Sequence, residues 1–305
     1  MIPGDTPPWA QRANAVAAGI RLRVFEHTLK HSEGYLSQAC SSAEILATLY
    51  TRILRLAPLE VPVRPGPFTG VPSADNLHYI SGAAANGPRG PAFDRLIFSP
   101  VHDALALYAA LIEVGRLVPD ALDEFNRDGG TVEMIGAEHS PGIETTAGSL
   151  AQALSQAAGI ALARKRRGDS GHVWVMMSDG EFEEGQTWEA IANAAFHRLD
   201  NLRVVVDANG QQCDGEVASV ALLEPLPARI RAFGATAVEV DGNNVVALSD
   251  AMEQASASPL VIVARTDPTC GIPLLAERRP LLHTVRLTSD EERSRYRAAY
   301  EAMLR

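Results

Sequence analysis

The amino-acid sequence predicts an α/β fold in which a doubly wound parallel sheet carries helices on both faces. Short apolar runs have the length of buried strands and lie at 172–177, 202–206, 238–240 and 260–264. Segments with helical spacing of apolar residues separate them and lie at 187–199, 226–233 and 244–256. Because a helix after each strand returns the chain to the same end of the sheet, this alternation predicts parallel strands.

The first half of the chain is predicted to be mostly helical. Apolar residues recur at helical spacing at 15–30, 43–56, 102–115, 119–127 and 149–167. Ser41, Ser42 and Glu44 suit the cap and first turn of the second helix. Basic residues at 164–167 precede Gly168 and predict the end of the last helix, since positive charge favours the C-terminal end of the helix dipole.

Length and composition favour a single domain over residues 1–305. At roughly 100–200 residues per domain, this length allows one large domain or two ordinary ones. The sequence shows no internal repeat and no linker between two cores, so one α/β domain is the simpler interpretation. A Pro- and Gly-rich excursion at 58–91 is predicted to be irregular, and a C-terminal helix is predicted near 290–304.

Charge and cysteine content disfavour several classes of function. Lys plus Arg number 27 and Asp plus Glu 37, so the net charge of −10 argues against a nucleic-acid partner. The three cysteines form no CxxC pair, which indicates a reducing compartment without a zinc site or disulfide framework. Residues 1–9 lack the pattern of a signal peptide, and no apolar run is long enough for a membrane helix. We therefore expect a cytoplasmic protein.

Polar residues follow two of the predicted strands. Asp179 and Gly180 come after the run at 172–177, and Asn209 follows the run at 202–206. In an open parallel sheet, ligands bind beyond the carboxyl ends of the strands. A carboxylate and an amide oxygen there suit Mg²⁺, which shares its shell with phosphate oxygens, so the pair predicts a diphosphate-bearing ligand. The alternative is that Asp-Gly and Asn-Gly are simple turns after strands.

The segment between Asp179 and Asn209 resembles the thiamine diphosphate motif of transketolases. It begins with Asp-Gly, continues through Glu184-Gly and Glu189, and ends in a Leu-x-Asn-Leu strand before the Asn. The resemblance implies thiamine diphosphate and Mg²⁺ as cofactors. It implies that Asp179 and Asn209 bind Mg²⁺ by their side chains and Gln211 by its backbone carbonyl, and that Gly180 and Glu181 belong to the cofactor site.

The same resemblance assigns acids at a subunit interface. Glu184 and Glu189 match family acids that lie near the glutamate that activates the cofactor. The alternative is a solvated first helical turn, favoured by the helix dipole. A second matching segment, 141–150, implies that Gly148 approaches the cofactor by its backbone and that Leu150 packs near the thiazolium. A plain helix N-terminus capped by Thr145 or Thr146 is the alternative there.

Two histidines match family positions, and two others are missing. His102, at the end of the segment 98–102, matches a cofactor-site histidine, and His283, seven residues before Asp290, matches a substrate-site histidine. Taken alone, His102 is a helix cap or surface residue. The candidate catalytic residues are therefore His102, His283, Glu184 and Glu189.

The departures from the family lie at the substrate site. Tyr35 stands where the family has a histidine, and Ala137 replaces another, whose place His139 could take. The Lys of the family loop is also absent from 266–271. The resemblance thus implies an intact cofactor site beside an altered substrate site.

The resemblance covers residues 15–305 but only the N-terminal half of a transketolase. It implies an N-terminal subunit of a split transketolase-like enzyme that moves a two-carbon ketol, or related acyl, unit from a donor to an aldehyde acceptor. A C-terminal transketolase-like subunit would supply the activating glutamate. The alternative from another class is a non-catalytic module that binds the cofactor or a partner. A nicotinamide-dependent dehydrogenase is disfavoured, because no strand is followed by Gly-x-Gly-x-x-Gly.

Overall fold

The computed structural model of the protein describes residues 7–213 and 215–305. Helices and strands are numbered in chain order. In the first half they are α1 (Pro8–His31), β1 (Glu33–Gly34), α2 (Leu36–Thr48), β2 (Arg95–Phe98), α3 (Ala104–Glu113), α4 (Gln152–Arg167) and β3 (Val173–Ser178). In the second half they are α5 (Gly185–Phe196), β4 (Leu202–Ala208), β5 (Gln211–Gln212), β6 (Gly215–Glu216), α6 (Val217–Val220), α7 (Leu226–Ala232), β7 (Thr236–Asp241), α8 (Val245–Met252), β8 (Leu260–Arg265), β9 (Val285–Arg286) and α9 (Asp290–Met303).

A five-stranded parallel sheet forms the centre of the fold, in the order β2-β3-β4-β8-β7. Every residue of β4 is buried, as is all of β3 except Ser178, because these central strands are covered on both faces. Helices α4 and α5 pack together, and α4 packs against β3. Helix α2 packs against β4, and it also contacts α1 and α8. The predicted α/β fold with a doubly wound parallel sheet is confirmed.

The register of the central strands brings the predicted ligands together. Ser178, the last residue of β3, pairs with Asp207 of β4. The residues that follow, Asp179 and Asn209, therefore leave the same edge of the sheet side by side. This is the edge at which open α/β sheets bind ligands.

The Pro- and Gly-rich excursion is held at its end by one tight turn. Outside isolated bridges, its regular structure is the 3₁₀ turn Gly82–Asn86. The Gly82 N–H donates to the carbonyl of Glu138 at 2.7 Å, and the Gly142 N–H donates to the Gly82 carbonyl at 2.8 Å. A Cβ atom on Gly82 would lie 1.8 Å from the Ser140 carbonyl oxygen, so only glycine fits. The turn thereby positions the segment that leads to Gly148.

Two predicted elements differ from the structure, and one strand was not predicted. The second helix begins at Leu36 rather than near 43, so Ser41 and Glu44 lie inside it instead of capping it. The helix predicted at 119–127 is only the 3₁₀ turn Ala121–Glu124, because the chain reverses at Asn126, where φ is 55°. Strand β2 was not predicted, since it has four residues at the sheet edge and runs directly into Ser99-Pro100.

Two predictions concern the terminus and the membrane. The first six residues lie outside the described part of the chain, so the prediction that residues 1–9 carry no signal peptide falls mostly there. Among the described residues, no helix combines the length and the apolar composition needed to cross a membrane.

Candidate cofactor site

A cavity of about 460 Å³ opens at the carboxyl ends of β3 and β4. Eight of the residues predicted for the site line it, and they are His102, Gly148, Leu150, Gly180, Glu184, Asn209, Gln211 and His283. These residues come from five separate stretches of the chain. Its volume lies within the range of roughly 300–1,000 Å³ that is typical of ligand and cofactor sites.

Of the residues predicted to bind metal, Asn209 and Gln211 line this cavity, whereas Asp179 lines a neighbouring cavity that shares both of them. Asp179 is 5% exposed, and its carboxylate accepts hydrogen bonds from the backbone N–H groups of Gly210 at 2.8 Å and Gly180 at 2.9 Å. Burial raises the pKa of Asp179 to about 7, with the neighbouring Asp207 adding to the rise. Asn209 Oδ1 accepts from the Gln211 N–H at 2.8 Å. The three candidate ligands are therefore in direct or near contact.

A carboxyl group that the sequence analysis did not single out supports these candidate ligands. Asp207, at the end of β4, accepts hydrogen bonds from the hydroxyl groups of Ser41, at 2.6 Å, and Thr266. Ser41 also accepts a hydrogen bond from the Asn209 amide at 3.2 Å. The misplaced helix start explains why Ser41 was not predicted here, since a helix cap has no reason to reach β4.

Glu181 is buried beside the site and does not line the cavity. Its side chain is fully buried, and its carboxylate accepts hydrogen bonds from Ser99 Oγ, from the Ala151 N–H at 3.0 Å and from the N–H and hydroxyl of Ser178 at 2.8 and 3.3 Å. Four donors from three segments converge on one carboxylate. In this structure Glu181 joins those segments and leaves no oxygen open to the cavity.

Two imidazoles line the cavity, and the phenol ring of Tyr35 packs beside them. The ring centroids of His102 and His283 are 5.5 Å apart, and the ring of Tyr35 lies 6.3 Å from the first and 5.5 Å from the second. Burial lowers the pKa of His102 and lowers that of His283 to about 4, so both rings are neutral at pH 7. The Gln38 amide nitrogen donates to Nδ1 of His283 at 3.0 Å and to its carbonyl oxygen at 2.7 Å.

The remaining predicted residues divide between the cavity and the surface. Gly148 and Leu150 line the cavity, and a Cβ atom on Gly148 would meet only Ile135, at 3.8 Å. Glu184 is exposed at the rim, directly before α5. Glu189 is exposed on α5 and does not line the cavity. The structure thus brings Glu184, but not Glu189, to the cavity.

His139 does not take the place left by the missing family histidine. Its Nε2 lies 2.9 Å from the Glu133 carboxylate, and its ring packs against Phe68 with centroids 4.5 Å apart and planes tilted by 49°. It does not line the cavity. The ring that stands beside His102 and His283 is that of Tyr35.

Several lining residues were missed by the sequence analysis, and they are Ser37, Gln38, Asp103, Glu183, Gln212 and Cys213. Each of them except Cys213 is adjacent in sequence to a predicted residue or lies in a segment that departs from the family pattern. Proximity to His102 was the available signal for Asp103. Ser37 and Gln38 were missed because the start of α2 was misplaced, and Glu183, Gln212 and Cys213 lie in short turns and strands that periodicity does not reveal.

The donor set fits magnesium with a diphosphate. Within residues 7–213 and 215–305, no group of three or more His, Cys, Asp or Glu could hold a metal ion, so a cation here would need amide and backbone oxygens as well. Asp179, Asn209 and Gln211 supply such oxygens, which are the hard ligands that Mg²⁺ prefers. Gln211 also has a buried side-chain oxygen without a hydrogen-bond partner in the described residues. A buried carboxylate with a raised pKa is stabilised by a cation beside it.

Comparison with known proteins identifies the family. The family model described as "Transketolase, thiamine diphosphate binding domain" matches residues 79–300. A transketolase family protein of Sinorhizobium fredii is 34% identical over 278 residues, which cover 88% of this chain and 90% of that protein. The 6-deoxy-6-sulfo-D-fructose transketolase subunit SqwG of a Clostridium species is 32% identical, with 89% and 90% covered.

Solved structures agree on the fold. The transketolase of Campylobacter jejuni superimposes with a TM-score of 0.72 at 20% identity, and the match covers 97% of this chain but 47% of that one. The chain thus spans about half the length of the solved transketolase that it matches. With the family model covering most of the chain, the protein belongs to the transketolase family and carries its thiamine diphosphate binding domain.

Proposed function

We propose that this chain is the N-terminal subunit of a thiamine-diphosphate-dependent transketolase, which transfers a two-carbon ketol unit to an aldehyde acceptor. The observation that carries the proposal is one cavity in which Asn209 and Gln211, hydrogen-bonded neighbours beside Asp179, face two neutral imidazoles, His102 and His283. A relative of nearly the same length is named as a transketolase subunit, which supports a divided enzyme.

The chain's own residues would hold and surround the cofactor. Asp179 and Asn209 would bind Mg²⁺ by side-chain oxygens and Gln211 by its backbone carbonyl, and Gly180 and Gly148 would let backbone approach the ligand. Thiamine diphosphate, when bound, supplies the carbanion chemistry of ketol transfer. Leu150 would pack on the ring of the cofactor and exclude water.

The two histidines would handle protons beside the reacting carbons. Because Gln38 donates to Nδ1 of His283, the proton of that neutral ring lies on Nε2, which leaves Nε2–H as a donor. His102 is likewise neutral at pH 7, so each ring can exchange one proton with a substrate hydroxyl without first losing a charge.

A C-terminal partner subunit would complete the site. The chain covers about half of a full transketolase, and the cavity opens beside the exposed Glu184 at the start of α5. We place the subunit interface around Glu184 and Glu189, where the partner would contribute the glutamate that activates the cofactor. Because neither subunit would be complete alone, the interface should be large, of about 2,000 Å² or more.

The substrate pocket would favour an unusual donor. Tyr35 stands beside both cavity histidines in place of a family imidazole, and His139 is held away by Glu133. A pocket with few groups that hydrogen-bond hydroxyls discriminates only weakly against substrates that lack those hydroxyls. We expect low efficiency on common ketose phosphates such as xylulose 5-phosphate, below the ~10⁴ M⁻¹s⁻¹ found for native substrates.

Co-purification of the native complex followed by a ketol-transfer assay tests this function. We expect no turnover from the isolated chain and turnover from the complex, which Asp179→Ala should abolish. An isolated monomer that transfers ketol units would contradict the division of the site. A complex that binds the cofactor but transfers from no donor would instead support the second candidate, a non-catalytic cofactor-binding module.

A further inference from the structure

One carboxyl group in the cavity wall has no part in the site as described. Asp103 lies between His102 and the start of α3, and it lines the cavity. Its side chain is 7% exposed, and its Oδ1 atom is buried without a hydrogen-bond partner among the described residues. Buried polar atoms are normally hydrogen-bonded, so this oxygen lacks a partner that the site should provide.

The surroundings of Asp103 oppose a negative charge. The buried carboxyl groups of Glu181 and Asp207 interact electrostatically with it, as does the phenol of Tyr35. The described lining of the cavity includes no Lys or Arg. Backbone N–H groups at the start of α3 would favour the ionised form, but none of them hydrogen-bonds the side chain. Burial beside acids therefore raises the pKa of Asp103 well above its ordinary value.

A ring nitrogen lies close to the unpartnered oxygen. Nε2 of His102 is 3.6 Å from Oδ1 of Asp103, slightly beyond hydrogen-bond distance. Hydrogen bonds of catalytic groups are often long before a ligand binds, and they shorten in the complex. Burial keeps the His102 ring neutral, so its Nε2 atom can accept a hydrogen bond. The neighbouring His283 is already held by Gln38 and does not compete.

We propose that Asp103 is a positioning residue whose neutral carboxyl group donates a hydrogen bond from Oδ1 to Nε2 of His102 and so holds that ring in the Nδ1–H tautomer. The carboxyl proton stays on Oδ1 and the ring proton on Nδ1, so no charge forms in the cavity. His102 then offers Nδ1–H as a donor to an anionic oxygen of a ligand. This use of the donor rests on the proposed function, whereas the tautomer itself does not.

Nitrogen NMR of the full chain, labelled with ¹⁵N in its histidine rings, tests the proposal without an activity assay. In the wild type at neutral pH, we expect Nδ1–H to be the major form of His102, because a net hydrogen-bond free energy of ~1.4 kcal/mol raises the ratio of Nδ1–H to Nε2–H about tenfold over that in Asp103→Leu. When the pH is raised until Asp103 ionises, its carboxylate becomes an acceptor, so the ring should switch to Nε2–H.

Two variants separate this role from a structural one. Asp103→Asn can still donate to Nε2, so it should keep the Nδ1–H form but lose the alkaline switch. Asp103→Leu should lose both the preference and the switch. His102→Gln assigns the signal, and the exposed His78 serves as a reference ring that none of the changes should alter.

Two NMR results would contradict the role proposed for Asp103. An Nε2–H ring in the wild type at neutral pH, or an alkaline switch that persists in Asp103→Leu and Asp103→Asn, would overturn the proposal. Calorimetry of Mg²⁺ and thiamine diphosphate on the complex judges the proposed function separately. Cofactor binding with the wrong tautomer rejects only the role of Asp103, and the right tautomer without cofactor binding rejects only the function.

Discussion

At the scale of single residues, Glu181 distinguishes support of a site from contact with its ligand. The sequence resemblance placed it among the cofactor residues, and the structure buries it beneath them with four donors on its carboxylate. Spacing along a motif cannot tell these roles apart, because both need a carboxylate at the same point of the chain. Which role applies depends on whether the backbone after β3 turns the side chain outward or inward.

Replacing the carboxylate at this position should lower stability without removing any atom from the cavity wall. Glu181→Gln replaces one carboxylate oxygen, which accepts hydrogen bonds, by an amide NH₂ group, which cannot. Some of the buried N–H and hydroxyl groups that face this position are then left without an acceptor. We expect the free energy of unfolding in urea to fall by ~1–3 kcal/mol. The matched change Glu189→Gln, on the exposed face of α5, should alter it by less than about 0.5 kcal/mol. Equal effects from the two changes would contradict the supporting role of Glu181.

At the scale of elements, the sequence predicted the parts whose burial follows a simple period. The four predicted strands correspond to β3, β4, β7 and β8 within a few residues. Short apolar runs are what covered parallel strands such as β3, β4 and β8 require. Helix α2 was misplaced for the opposite reason. It is buried on all sides, so polar residues such as Gln38 and Ser41 interrupt its apolar pattern although they lie inside the protein.

The irregular excursion shows a second limit of prediction. Its composition indicates loops, but not which of its residues touches the rest of the protein. Gly82 matters because the Ser140 carbonyl occupies the space of its missing side chain. That contact joins residues about sixty positions apart, and local sequence carries no record of it.

The same chemical change at two glycines should therefore have opposite effects. Gly82→Ala forces a Cβ atom against the Ser140 carbonyl and should lower the free energy of unfolding by more than about 2 kcal/mol. Gly159→Ala lies on the exposed face of α4, where a Cβ atom meets nothing within 4 Å, and should raise it by ~0.5–1 kcal/mol. Thermal and urea unfolding of both variants measure the difference. Two changes of the same sign would contradict this account of the turn.

At the scale of the whole molecule, buried histidines make stability depend on pH. Burial, together with the charges of His31 and Lys30, lowers the pKa of His27 from 6.5 to about 4 in the folded protein. The unfolded chain therefore binds more protons between these values, and the stability that His27 contributes is lost as the pH falls from 6.5 to 4. His283 acts in the same direction. The raised pKa values of Asp179 and Asp207 act in the opposite one.

A comparison of pH slopes isolates the histidine from these opposing groups. As the pH is lowered from 6.5 to 4, we expect the fall in the free energy of unfolding to be smaller in His27→Gln than in the wild type by on the order of 1–3 kcal/mol. His78→Gln, at an exposed site, should keep the wild-type slope. An unchanged slope in His27→Gln would show that the folded protein protonates this ring as readily as the unfolded chain does.

The central claim is that Asp179, which follows β3, and Asn209, which follows β4, belong to one cofactor site. Calorimetry of thiamine diphosphate with Mg²⁺, on the complex of this chain with its C-terminal partner, tests it most directly. We predict that Asp179→Ala weakens binding by at least about 100-fold, as does removal of Mg²⁺ by a chelator, while the exposed Asp128→Ala binds like the wild type. Unchanged affinity in Asp179→Ala would contradict the claim.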